Sequence, residues 1–140
     1  MFDFLIPVAV GLHVASAHVP RLDDQNNINP GAYVLTQGGF VAGAYHNTLR
    51  RTSIYAGHIS AWGPVDLAVG VVTGYRERCT VWGTGWECRG FSRHAATLMI
   101  VPSVRLPALL PGVHPRISYV PRVGAGARSN TVHVSIEYSL

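Results

Sequence analysis

The last ten residues, TVHVSIEYSL (131–140), decide the fold. Successive side chains of an extended chain point to opposite sides. Val132, Val134, Ile136, Tyr138 and Leu140 therefore share one face, and His133, Ser135 and Glu137 share the other. Alternation kept up to the final residue predicts a strand with a bulky apolar side and a polar side. Working back, Val65–Tyr75 divides the same way, with Val65, Leu67, Val69 and Val71 against Asp66, Ala68, Gly70 and Gly74. In Val8–Val19 the bulky set is Val8, Val10, Leu12 and Val14, and the small set is Ala9, Gly11, His13, Ala15 and Ala17.

This pattern separates two architectures. A soluble sandwich buries its bulky face and wets the other, but Gly and Ala are poor solvent-facing residues. In a membrane barrel the bulky face meets lipid, and small residues fill a narrow interior. Further strands are predicted at Gly31–Thr36, Phe40–Tyr45, Ser53–Gly57, Ala95–Leu106 and Arg116–Val120. The expectation is a single domain, 1–140, folded as an eight-stranded antiparallel up-and-down β-barrel of outer-membrane type. Its small-residue face should point inward, with His13, Asp66, His133, Ser135 and Glu137 hydrogen-bonded to one another or to water.

The totals agree with a barrel. Apolar residues make up 48% and charged residues only 13%, about half the usual charged share. No run approaches the ~18 apolar residues of a membrane helix. All 11 basic residues are Arg, and the net charge is +4. Guanidinium forks suit phosphate or carboxylate partners. The arginines are scattered, which argues against nucleic acid. The seven His lie in separate stretches without ligand spacing, so neither a metal site nor a cofactor is expected. Cys79 and Cys88 bracket CTVWGTGWEC, and a turn at Gly83-Thr84-Gly85 would allow a disulfide in an oxidising compartment, with two free thiols the alternative. Phe4–Leu12 with Ala15-Ser16-Ala17 has the outline of a signal peptide, but Asp3 stands where a basic segment belongs. The segment is read as part of the first strand.

The stretch GGFVAGAYHNTLRRTSIYAGH (38–58) reads as a hairpin with His46, Asn47, Thr48, Arg50 and Arg51 at its tip. Such groups at a hairpin tip usually just face water. Here they belong to an ordered set of motifs. Tyr45-His46-Asn47-Thr48 runs without a gap to Ile54-Tyr55-Ala56-Gly57. It is accompanied by Ile6-Pro7, Asn27…Pro30-Gly31, Val101-Pro102 and Tyr119-Val120-Pro121. The set resembles the outer-membrane lipid A palmitoyltransferase family, PagP. Ser16-Ala17-His18-Val19-Pro20-Arg21 and Asn29-Pro30-Gly31 are similar to motifs of a shorter branch of small barrels, often phage-associated.

The resemblance implies acyl transfer from a phospholipid to lipid A, or a related glycolipid, at the bacterial outer membrane. The family uses a His, an Asp and a Ser near the outer rim. Asn47 falls at the Asp position and Thr48 at the Ser position. The His is His18 by the Ser-x-His-x-x-Arg motif, or His13 by its distance from Ile6-Pro7. Asn47 cannot carry the charge that would stabilise an imidazolium, so either the relay is loose or the barrel has lost the reaction. Arg21, Arg50 and Arg51 would hold phosphates of phospholipid and lipopolysaccharide. Pro7, Pro30, Pro102 and Pro121 would mark two seams where lipid enters sideways. Ile59 stands at the family's glycine floor of the hydrocarbon pocket, which implies a chain shorter than palmitate. The alternatives are a non-catalytic lipid-binding or surface-modifying barrel, including a phage-encoded one, and a soluble β-barrel structural protein.

Overall fold

Eight strands close on themselves, each antiparallel to the next, with the last returning to the first. They are β1 Pro7–Val19, β2 Ile28–Thr36, β3 Phe40–His46, β4 Thr52–Trp62, β5 Val65–Trp82, β6 Cys88–Arg105, β7 Val113–Val120 and β8 Asn130–Ser139. The computed structural model describes residues 3–21, 25–82, 88–121 and 129–140, with side chains throughout except 75–82 and 88–95. Leu140 N donates to Val8 O at 2.9 Å, so the chain's end locks onto its first strand. Both termini and the short turns after β2 and β4 lie at one end of the barrel, and the β3–β4 turn lies at the other.

The two faces of each strand sort as the alternation predicts. Val10, Leu12, Val69 and Val134 point outward, and Leu12, Ile54, Val71 and Leu98 are each more than half exposed. The largest fully enclosed side chains are polar: Glu137, Asn29, Asn47, Ser53 and Ser135. The usual disposition of a water-soluble protein is thus reversed. Among the described residues, a buried apolar cluster inside joins Tyr33, Val41, Tyr55 and Val72, with Leu35, Tyr45, Ile59 and Met99 against them. Gly11 makes this possible, because the Tyr33 ring lies 2.0 Å from where a Gly11 Cβ would sit.

The interior polar groups pair with one another. Arg116 on β7 reaches Asp66 on β5 at 2.9 Å and Glu137 on β8 at 2.9 Å. Arg105 approaches Glu137 at 3.3 Å, and Tyr33 donates to the same carboxylate at 3.1 Å. Two cations and two anions therefore neutralise each other near the end that carries the termini. Buried charges persist only when paired in this way.

The structure departs from the sequence reading in two places. A register shift between His13 and Ala15 in β1 flips the phase of the strand, so Ser16 and His18 face inward and Ala17 faces out. β5 and β6 run on to Trp82 and from Cys88, so the cysteine segment continues one long hairpin. In its ladder Cys79 faces Phe91 and Cys88 faces Trp82. Cys79 thus stands opposite a residue three positions beyond Cys88, an offset of about 10 Å along the strand. That exceeds the ~7 Å Cα separation a disulfide spans, and this register corrects the expected Cys79–Cys88 bridge. The two thiols themselves, and the turn at 83–85, lie outside the described residues.

The junction of β6 with β7 is short, at the place where Pro102 and Pro121 are expected to mark a seam. β7 pairs with β8 along its whole length, to Val120 against Thr131. Its ladder with β6 holds only Ser103–Ser118, Val104–Ile117 and Arg105–Arg116. Pro102, which has no N–H to donate, is the residue where pairing stops. Beyond it, the edge of β6 from Leu98 to Pro102 has no partner on β7 among the described residues.

Candidate functional site

A cavity of about 240 Å³ runs inside the barrel. Val41, Ile59, Ala68, Val72 and Met99 line one side of it. These come from β3 to β6, and small or aliphatic residues at inward positions there leave a smooth wall. His13, Ser16, Arg116, Thr131, His133 and Ser135 line the other side, from β1, β7 and β8. Thr97 and Ser103 on β6 are exceptions to this division, and Ser103 donates to Ser118 at 2.9 Å. Leu98, Ile100, Val120 and Pro121 also border the cavity. Leu98 and Ile100 belong to the outer face, so the cavity opens sideways through the unpaired part of the β6–β7 junction.

At mid-height sits a cluster of rings. His13 Nδ1 lies 2.7 Å from His133 Nε2, and His13 Nε2 lies 2.8 Å from the Tyr55 hydroxyl. The His13 ring packs 5.2 Å from Tyr33 and 5.0 Å from Tyr45, centroid to centroid. His13 and His133 therefore face inward and bond to each other, as expected from alternation. His13 has both ring nitrogens engaged. His133 keeps its Nδ1 without a hydrogen bond to any described residue.

The loop end holds the residues read as catalytic. His18 is buried, its Nδ1 lies 2.8 Å from Asn27 Oδ1, and its Nε2 has no hydrogen-bond partner among the described residues. Asn47 is fully enclosed. Its amide nitrogen donates to Ser53 Oγ at 2.9 Å and to Gly74 O at 3.1 Å. Its oxygen accepts from the backbone N–H of Leu49 at 2.9 Å and of Arg51 at 3.0 Å. An Asn side chain offers two donors and two lone pairs, and all four are committed here to shaping the turn. Gly74 supports that arrangement with φ +88, a conformation costly for other residues. Asn47 is thus a scaffold of the tip, and no hydrogen bond joins His18, Asn47 and Thr48 among the described residues.

Thr48 is buried and borders the cavity, and its hydroxyl bonds to no described residue. Arg21 and Arg50 are exposed at the loop end, while Arg51 is half-buried. Ile59 faces inward onto the cavity beside Tyr55 and Val72. The structure thus brings Thr48, Ile59 and His13 to one cavity and leaves Asn47 and the arginines at the loop end, outside its lining. Sequence reasoning quoted Asn27 and Asn29 as parts of motifs but gave neither a role in the site. Asn29 accepts from Ser16 Oγ and donates to His46 O at 3.0 Å, tying β2 to the β3–β4 tip. Their role follows from the phase flip in β1, which turns Ser16 and His18 toward them.

No protein-family model and no curated protein sequence matches this chain.

Proposed function

We propose that this chain is a membrane-embedded barrel of the bacterial outer membrane that draws one acyl chain of a lipid sideways, between β6 and β7, into its interior. The observation that carries this reading is the cavity's lateral opening, bordered by Leu98 and Ile100, within a girdle of exposed aliphatic side chains. A lipid tail can pass from bilayer to cavity there without crossing polar headgroups. A dry cavity of about 150 Å³ takes a six-carbon ring. By the same scale, about 240 Å³ admits roughly ten carbons. Phospholipid and lipopolysaccharide are the partners this reading names, with Arg21 and Arg50 exposed at the loop end to meet their phosphates.

PagP-like acyl transfer to lipid A or a related glycolipid is the catalytic form of the same reading. Two observations favour it: Thr48 borders the cavity, and His18 Nε2 has no hydrogen-bond partner among the described residues. Asn27, not Asn47, accepts the His18 Nδ1 proton in this arrangement and leaves Nε2 as the basic nitrogen. The deciding experiment incubates the purified barrel with radiolabelled phospholipid and isolated lipopolysaccharide. Label in lipid A that disappears in Thr48→Val and His18→Phe supports transfer. Retained lipid without transfer leaves a binding protein, and neither outcome overturns both forms.

Ile59 provides a test of the pocket's depth. Ile59→Gly should move bound or transferred chains toward greater length, since each added methylene that finds room is worth ~0.8 kcal/mol of burial. Mass spectrometry of the chains held by wild type and variant reads this directly. Identical chain distributions would remove Ile59 from the floor.

A further inference from the structure

We infer that the chain held in this cavity is hydroxylated near its head, a 3-hydroxyacyl chain rather than a plain hydrocarbon one. The inference rests on the acyl-binding reading and deepens it. A plain chain needs only apolar walls, as Val41, Ile59, Ala68, Val72 and Met99 provide on one side. The facing wall on β1, β7 and β8 instead presents hydrogen-bonding groups along the cavity, and two of them on β8 are uncommitted. His133 Nδ1 and the Thr131 hydroxyl make no hydrogen bond to a described residue, although both residues border the cavity.

Those two groups sit two residues apart on the same face of β8, about 7 Å along the strand. One hydroxyl on a ligand can lie between them. The chemistry of the site favours a hydroxyl over other polar groups. His13 and His133 share a proton between Nδ1 and Nε2, so the free His133 Nδ1 is a donor in one tautomer and an acceptor in the other. A hydroxyl donates and accepts, and it fits either state; a carbonyl or an ammonium fits one. Thr131 offers the same versatility. Depth sets the position on the ligand. Thr131 is the second residue of β8, close to the loop end and paired with His18 on β1, so the hydroxyl belongs a few bonds from the carboxyl group. The rest of the chain then lies against Val41, Ile59 and Val72.

The test titrates the detergent-solubilised barrel with decanoate and with 3-hydroxydecanoate, by calorimetry. The hydroxylated chain should bind about tenfold more tightly, the scale set by one neutral hydrogen bond. Thr131→Val keeps the side chain's shape, and it should erase that preference. His133→Phe serves as the second variant, with the same expected loss of preference. Equal affinity of wild type for the two chains would overturn this inference and keep the acyl-binding reading. Binding of neither would overturn both. A preference that survives both variants would overturn the assignment to Thr131 and His133.

Discussion

Arg116→Leu is expected to destabilise the barrel by about 3–5 kcal/mol, the usual cost of leaving buried charges without their partner. Arg116 is only 6% exposed, and its guanidinium joins Asp66 on β5 to Glu137 on β8. Removing it strands two carboxylates inside a narrow lumen, with Arg105 left to approach one of them. Asp66→Asn and Glu137→Gln combined with Arg116→Leu should recover most of the loss, because the charges then vanish together. Urea titration of folding into lipid vesicles, followed by tryptophan fluorescence, gives both values. An Arg116→Leu midpoint equal to that of wild type would show that this cluster does not brace the barrel.

Leu12→Arg is the second large effect, expected at about 2–4 kcal/mol in a bilayer, the cost of an arginine on the lipid face near mid-depth. Leu12 points outward, is 60% exposed, and lies beside Ala32 on β2 and Ile136 on β8. The same change on a water-facing surface falls within about 0.5 kcal/mol of zero. The two environments therefore differ by several-fold in a single number. An unchanged stability in vesicles would place this face in water and return the soluble barrel to first place.

The sequence made the fold legible because period-two alternation survives wherever a strand has two different neighbours. In β8 and β5 those neighbours are the interior and the outer girdle, and Val132–Leu140 and Val65–Val71 show them plainly. The reading failed where one residue breaks the period. The shift between His13 and Ala15 reversed the face of everything after it, and no local propensity marks a bulge of that kind. It also hid the inward turn of Ser16 beside His18. Charge pairs were equally hidden. Asp66, Glu137 and Arg116 stand on three strands, and only closure of the barrel shows that they meet. For the site, the hairpin tip drew attention correctly as a structured place. Its Asn47, however, spends every hydrogen bond on the turn. The cavity wall depends on β6 to β8, where Pro102 marked in the sequence the place at which the β6–β7 ladder stops.

Lipid occupancy is the measurement that tests the central claim most directly. The barrel, folded in vesicles and released into a mild detergent, can be weighed by native mass spectrometry. One acyl-bearing lipid per barrel is expected, and hydrolysis should release chains of roughly ten carbons in preference to longer ones. Ala68→Phe, which places a ring where Ala68 lines the cavity, should abolish the adduct while the barrel remains folded. A wild-type barrel that carries no lipid, or an adduct unchanged in Ala68→Phe, would contradict the account.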